Sequence, residues 1–207
     1  MSVNIEQIIF DVAEALRYPV LALALVSLAV VLVEAGSFAV EVVRRRRRDT
    51  ARLERVAETA RAALEGGDVP GARRALAQIA WSGAMAATLD LIAERIRPSG
   101  GGDRVAKALA DFDFASLRRL ERTRVLVRAG PALGLMGTLI PLAPALAGLA
   151  EGDVAQLSRN LRVAFSVTVL GLVVGAVAFA ISLVRDRLYG QDLSDLEFVA
   201  ATLEAPS

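Results

Sequence analysis

The sequence predicts an all-α, polytopic membrane protein with three transmembrane helices and a cytoplasmic helical extension. Three apolar segments, over residues 19–43, 129–150 and 161–184, each have at least the roughly 20 residues that a helix needs to cross a bilayer. The 207 residues are 55% hydrophobic but only 5% aromatic, so the apolar content lies mostly in Ala, Val and Leu, as in lipid-buried helices. No run of alternating apolar and polar residues indicates a strand.

The charge distribution predicts the orientation. Residues 44–48 are five arginines that directly follow the first apolar segment. Residues 44–128 hold nineteen Lys or Arg against eleven Asp or Glu, a net charge of +8. Because basic flanks stay in the cytoplasm, we expect residues 44–128 and the tail, 185–207, inside, and the N-terminus and the short loop 151–160 outside. Beside a spanning segment, the arginine run indicates a membrane anchor rather than a nucleic-acid site.

The remaining segments are predicted to be helical. Residues 1–18 carry apolar positions at helical spacing and form either an amphipathic helix on the outer surface or the helical start of the first span. Within residues 44–128, helices are expected before the turn at 66–71, over 72–97 and over 103–128, the last running into the second span. The tail is expected to end in a short helix that packs against the basic helices, and Trp81 is assigned to packing.

Several classes of chemistry are excluded by composition. The chain has no Cys and no His, which removes thiol catalysis, imidazole bases and the usual zinc and haem ligands. No nucleophile–base pair, metal cluster or phosphate loop is present. We therefore expect neither an enzyme nor a bound cofactor or metal.

The second and third spans form a predicted hairpin with a distinctive composition. Small residues allow helices to approach closely, and mid-span prolines permit kinks. Hydroxyl groups supply polarity and are candidates for lining a channel, although Ser and Thr in helices also bond their own backbone. The packing or kink residues are Gly134, Gly137, Pro141, Pro144, Gly171 and Gly175, and the candidate lining residues are Thr138, Ser166 and Thr168.

Two carboxylates lie in the second half of the first span. Glu34 and Glu41 are seven residues apart and therefore share a helix face. An intramembrane carboxylate is a functional candidate, so Glu34 is either a functional group or a hydrated or arginine-paired one. Glu41, nearer the arginine run, is expected to be partly hydrated or paired with arginine.

Two motifs in the hairpin resemble a known family. The segment from Gly134 to Thr138, GLMGT, resembles the GLxGT signature of the MotA/TolQ/ExbB proton-channel family. The segment from Thr168 to Leu172, TVLGL, is similar to that family's third-helix T-x-x-G-L motif. The order of spans also fits. Transport-type members carry a glutamate five residues before the threonine, where this chain has Val163.

The resemblance implies a proton-channel or stator subunit of an ion-driven motor in the inner (cytoplasmic) membrane. It implies a homopentamer around single-span partners of the ExbD/TolR/MotB kind, whose membrane aspartate carries the proton past Thr138 and Thr168. The hairpin residues are consistent with the need for such a partner, because the hairpin has no titratable group of its own to relay a proton. The subfamily and the choice of proton or sodium stay open. The alternative is a passive oligomeric membrane scaffold.

Overall fold

The computed structural model describes residues 5–45, 49–96 and 101–204, and over these ranges it is helical, without a strand. The described ranges hold seven helices in this order: α1 (Ile5–Ala15), α2 (Arg17–Arg45), α3 (Thr50–Glu65), α4 (Val69–Leu76), α5 (Gly83–Arg95), α6 (Gly101–Ala150) and α7 (Val154–Glu204).

In the part of the chain that the structure describes, three helical stretches are long and apolar enough to cross a membrane. They are Gln7–Arg45, Gly101–Ala150 and Val154–Glu204. The backbone hydrogen bonds from Leu16 N to Val12 O and from Val20 N to Leu16 O continue across the junction of α1 and α2. The described part of the N-terminal segment therefore continues into the first spanning helix, although its apolar residues remain exposed.

The chain divides into two compact units. The spanning unit comprises the described residues up to Phe38 together with Glu121–Ser182. The extension unit comprises the described residues of Ala39–Leu120 and those from Leu183 onwards.

In the spanning unit, α2 packs one face against the hairpin. Its buried residues are Val20, Ala24, Ser27 and Val31, whose spacing of four, three and four residues places them on one side of the helix. Val31 belongs to a buried cluster with Leu126 of α6 and with Val174 and Ala178 of α7.

The extension unit has a larger apolar core, to which α3, α4, α5, the first part of α6 and the last part of α7 contribute. Its fully buried large side chains include Leu64, Leu76, Leu89, Ile92 and Leu196. The helices start with side-chain caps: Asp49, Asp68 and Ser82 accept hydrogen bonds from backbone N–H groups at the starts of α3, α4 and α5. The end of the tail packs against these helices, since Leu196, Val199 and Leu203 belong to the same buried cluster.

Two predicted helix boundaries are wrong. The single helix over residues 72–97 is interrupted, since α4 ends at Leu76 and Ser82 caps a new helix at Gly83 by accepting from Met85 N. The short tail helix is the end of α7 instead, which continues through Gly190 without a break. A glycine lowers helix stability only modestly, so the buried apolar face of α7 overrides it.

The loop predicted over residues 151–160 is also shorter than expected. Gly152 adopts φ +81°, which suits a tight turn, and the Asp153 carboxylate accepts from Gln156 N. Helix α7 therefore starts at Val154, and Asn160 is buried within it, where it accepts a hydrogen bond from Arg17.

Candidate functional site

The backbones of α6 and α7 touch at a seam of glycines. A Cβ atom on Gly130 would lie 2.7 Å from Gly171 O and 2.8 Å from Gly175 N. One on Gly171 would lie 2.9 Å from Gly134 Cα and would also collide with Gly130 O. Real Cβ atoms do not approach so closely, so only glycine fits at these positions. An added Cβ on Gly134 would lie 3.4 Å from Thr168 Cα, which is ordinary contact, so Gly134 is less constrained than Gly130 and Gly171. The functional role of these glycines stays a prediction.

At each end of the seam, a glycine of one helix faces a larger residue of the other helix. A Cβ atom on Gly137 would collide with the Val167 side chain, and one on Gly175 would lie 2.9 Å from the ring of Pro131. Pro131, Pro141 and Pro144 all lie inside α6 without ending it. Each proline lacks an N–H, so the carbonyl four residues earlier, that of Gly137 in the case of Pro141, loses its helical donor.

The two candidate threonines lie beside this seam. The Thr168 hydroxyl donates to Ala164 O at 3.1 Å and lies 3.4 Å from Gly134 O on the facing helix. Thr138 is one turn beyond Gly134, so it is on the α6 face that Thr168 meets. The Thr138 hydroxyl donates to Leu135 O at 2.7 Å. Both side chains are half-buried.

Ser166 does not join the two threonines. It is two residues from Thr168, which corresponds to about 200° around the helix. Its side chain is exposed and donates to Arg162 O at 2.8 Å. Ser166 and Thr168, which were grouped together from the sequence, therefore occupy different faces of α7, and only Thr168 is on the face that meets Thr138 of α6.

Glu34 lies on the packed side of α2. It is three residues from Val31, which is buried against the hairpin, and its side chain is half-buried. The carboxylate is thus on the face that α2 turns toward its neighbours in the chain. Its functional role stays a prediction.

A buried charge cluster in the extension unit was not predicted. The Arg45 guanidinium donates to both Asp192 carboxylate oxygens, at 2.9 and 2.7 Å, to Leu188 O at 2.9 Å and to Glu41 at 3.0 Å. Arg185 donates to the other Glu41 oxygen at 3.3 Å. Of the two states expected for Glu41, partly hydrated or paired with arginine, the structure has the second, with Arg45 and Arg185 as partners.

Trp81 contributes more than packing to this cluster. Its Nε1–H donates to Asp192 Oδ1 at 3.0 Å, and the Arg45 guanidinium lies 3.7 Å from the centre of its ring. This is a cation–π contact in a shielded position, where such contacts are strongest. The sequence held a weak signal, a single tryptophan among small residues, but nothing in it linked Trp81 to α2 or α7.

The cluster shifts the titration of Asp192. Burial raises the pKa of its carboxyl to about 6, and the neighbouring Asp195 adds to the rise. Arg45 and the Trp81 N–H oppose it but do not cancel it. Burial thus outweighs the ion pair, as is common when two charges leave water together.

The fold and the hairpin define a class: a multi-pass helical membrane protein whose last two spans pack through glycine and carry hydroxyl groups at their contact. The sequence model of the MotA/TolQ/ExbB proton channel family matches residues 73–197, which covers α5, the whole hairpin and most of α7. The chain belongs to this family. A comparison with curated proteins gives no match. Membership supports a proton-channel type of membrane subunit.

We predict that Gly171→Ala disrupts the hairpin, because the added methyl group meets Gly130 O and the backbone of Gly134. The expected result is a large fall in the melting temperature of the protein in detergent. Gly190→Ala is the matched control on the same helix, since nothing lies within 4 Å of its added Cβ, and it should stabilise slightly. Equal melting temperatures for the two variants would contradict the seam.

We predict that Asp192→Asn removes one pH dependence of stability. The pKa of an Asp carboxyl in an unfolded chain is about 4, whereas the pKa of Asp192 in the folded chain is about 6. The folded state therefore binds this proton more tightly than the unfolded state does. The stabilisation that the proton gives is complete below about pH 4 and is lost as the pH rises through about 6. The melting temperature of the unmodified chain minus that of Asp192→Asn should fall over that interval.

Asp90 supplies a control of opposite sign for this measurement. The hydrogen bond from Arg73 lowers the pKa of the Asp90 carboxyl, so its contribution is lost as the pH falls. The effect of Asp90→Asn should be small because the pair is exposed to solvent. A flat or rising melting-temperature difference for Asp192→Asn between pH 4 and 7 would rule out the assigned titration.

Proposed function

We propose that this chain is the channel-forming stator subunit of a proton-driven membrane motor. It forms a homopentamer in the inner membrane, with the N-terminus outside and the C-terminus inside, around single-span partner helices of the ExbD/TolR/MotB kind. Proton flow along the pentamer–partner contact is coupled to mechanical work or transport. The proposal rests on one observation. Thr168 of α7 meets the face of α6 that carries Thr138, and the two spans of the hairpin have no titratable side chain at this contact.

The hydroxyl geometry specifies what these threonines can bind. A hydroxyl has one hydrogen and two acceptor lone pairs. The hydrogens of Thr138 and Thr168 are directed at backbone carbonyls, so the oxygens are left as acceptors. An acceptor binds the O–H of a protonated carboxylic acid but offers nothing to a carboxylate. The pair therefore suits a partner aspartate in its protonated state.

The hairpin also leaves apolar faces for other helices. Large apolar side chains of α6 and α7 are exposed in the single chain and have the composition of surfaces that pack against further copies, partner helices or lipid. They include Leu135, Leu139, Leu146, Phe165, Val169 and Leu172, all at least 55% exposed. A second copy and a partner helix would cover such surfaces without placing a charge in the membrane.

The alternative is a passive oligomeric scaffold that conducts no ion. It is favoured by the fact that the three candidate hydroxyls each bond a carbonyl of their own helix, which is usual for Ser and Thr in helices. In that case the glycine seam serves assembly alone.

Co-purification with candidate one-span proteins that carry a membrane aspartate tests the assembly. We expect a stable complex in which mass measurement of the intact particle counts five copies of this chain and two partner chains. A stable assembly that takes up none of the partners and has a sealed apolar centre would favour the scaffold.

We predict that Thr168→Val reduces proton flux by roughly 5- to 150-fold in liposomes that contain the chain and its partner. Valine keeps the branched shape but removes the acceptor oxygen, and a lost hydrogen bond of about 1–3 kcal/mol corresponds to that range. Thr168→Ser should retain flux. Thr138→Ala combined with Thr168→Ala should abolish it.

Ser182→Ala is the matched control for these variants, because its hydroxyl also donates to a carbonyl of α7, that of Phe179 at 2.9 Å. It should conduct normally. Assembly is monitored by size-exclusion chromatography. Full flux through a normally assembled double threonine variant would refute the proposal.

A further inference from the structure

We propose that the extension unit contains a binding site for a phosphate group, formed where α2 ends and α3 begins. A cavity of about 310 Å³ opens there, which is at the lower end of the size range of small-ligand sites. Polar and apolar groups share its lining about equally, and the charged side chains lie around the Trp81 ring. The residues that the argument uses are Arg44, Arg45, Asp49, Arg52, Trp81 and Asp192.

The arginines supply donors that the protein does not use. Arg44 and Arg52 are exposed, and among the described residues neither has an ion-pair partner. The Arg45 side chain is only 8% exposed, yet its Nε–H is buried without a hydrogen-bond partner. That Nε–H is shielded from the cavity, so the ligand would bind to the exposed guanidinium groups of Arg44 and Arg52. A phosphate oxygen is an acceptor that guanidinium groups bind well. Among the described residues, the site therefore offers two cations without an ion-pair partner.

Three carboxylates line the cavity, those of Asp49, Asp192 and Asp195, and each is already engaged. Asp192 accepts from Arg45 and Trp81, Asp49 caps α3 by accepting from Ala51 N, and Asp195 is 9% exposed and has a partner of its own. Asp192 and Asp49 thus fix the Arg45 guanidinium and the start of α3 rather than pairing with Arg44 or Arg52. Helix α3 has 16 residues, and its N-terminus faces the cavity through Thr50, which adds a field that favours an anion.

The position of the cavity points to a source for the phosphate. Arg45 is the last residue of α2, whose apolar part is long enough to cross a bilayer, so the cavity adjoins the basic end of a spanning helix. Basic pockets and tryptophans at such ends meet phospholipid headgroups. A soluble phosphate compound has the same recognition chemistry. Phosphate binding at this cavity does not require ion conduction and is therefore separate from the proposed function.

Trp81 provides the measurement, because it is the single tryptophan of the chain and lines the cavity. The full-length protein is stripped of lipid in a phosphate-free detergent. Its emission is then followed during titration with short-chain phosphatidylglycerol, short-chain phosphatidylethanolamine, glycerol phosphate or inorganic phosphate. We expect a saturable change in emission that weakens with salt.

Variants assign the signal to the cavity. Arg52→Gln is expected to weaken binding at least tenfold, and Arg44→Gln, a second variant in case the first is misfolded, should do the same. Arg55→Gln is the matched control on α3, because Arg55 bonds Ala51 O and does not line the cavity. Its affinity should equal that of the unmodified chain, and circular dichroism verifies that each variant is folded.

Both sources of phosphate give a defined result. Saturation by phospholipid but not by soluble phosphate identifies a headgroup site, and saturation by inorganic or glycerol phosphate identifies a site for a soluble compound. Either supports the proposal. It is overturned if no phosphate compound gives a saturable change, or if folded Arg52→Gln and Arg44→Gln bind as the unmodified chain does.

Discussion

The structure of the hairpin depends on direct backbone contact between α6 and α7. Lipid is as apolar as leucine, so the hydrophobic effect does not hold spanning helices together, and close packing must do so. The glycines at 130, 134 and 171 provide it because they bring peptide groups of the two helices within van der Waals distance. The same closeness lets the Thr168 hydroxyl reach Gly134 O. A side chain in the seam would therefore separate the polar groups as well as the helices.

The length of the two hairpin helices follows from a second constraint. At 1.5 Å per residue, α6 with 50 residues and α7 with 51 are each about 75 Å long. The hydrocarbon core of a bilayer is about 30 Å thick, so more than half of each helix lies outside it. Those parts need a core of their own. In the extension unit, Leu196 and Val199 of α7 and Phe112 of α6 supply it together with the short helices.

Sequence reasoning found the features that repeat locally and missed those that join distant segments. Spans, glycine positions and the GLxGT-like segment are readable because helical spacing and length encode them. The Arg45–Asp192 pair joins residues 147 positions apart, and no local sequence pattern predicts it. The break before Ser82 had a readable capping signal, but the apolar periodicity on both sides concealed it. The continuation of α7 through Gly190 was misjudged because tertiary packing, rather than propensity, decides there.

The separation of charge from the spans constrains any mechanism built on this hairpin. Residues 129–150 and 161–184 contain Arg162 as their single charged group, so no side chain of the hairpin can take up and release a proton. Adding a carboxylate to α6 or α7 would require its desolvation beside lipid. On the proposed function, a partner that brings one acid would meet oxygens oriented to accept its O–H, and loss of the proton would remove that attraction. On the proposed function, the change in contact between the protonated and ionised acid is the step that couples ion flow to movement.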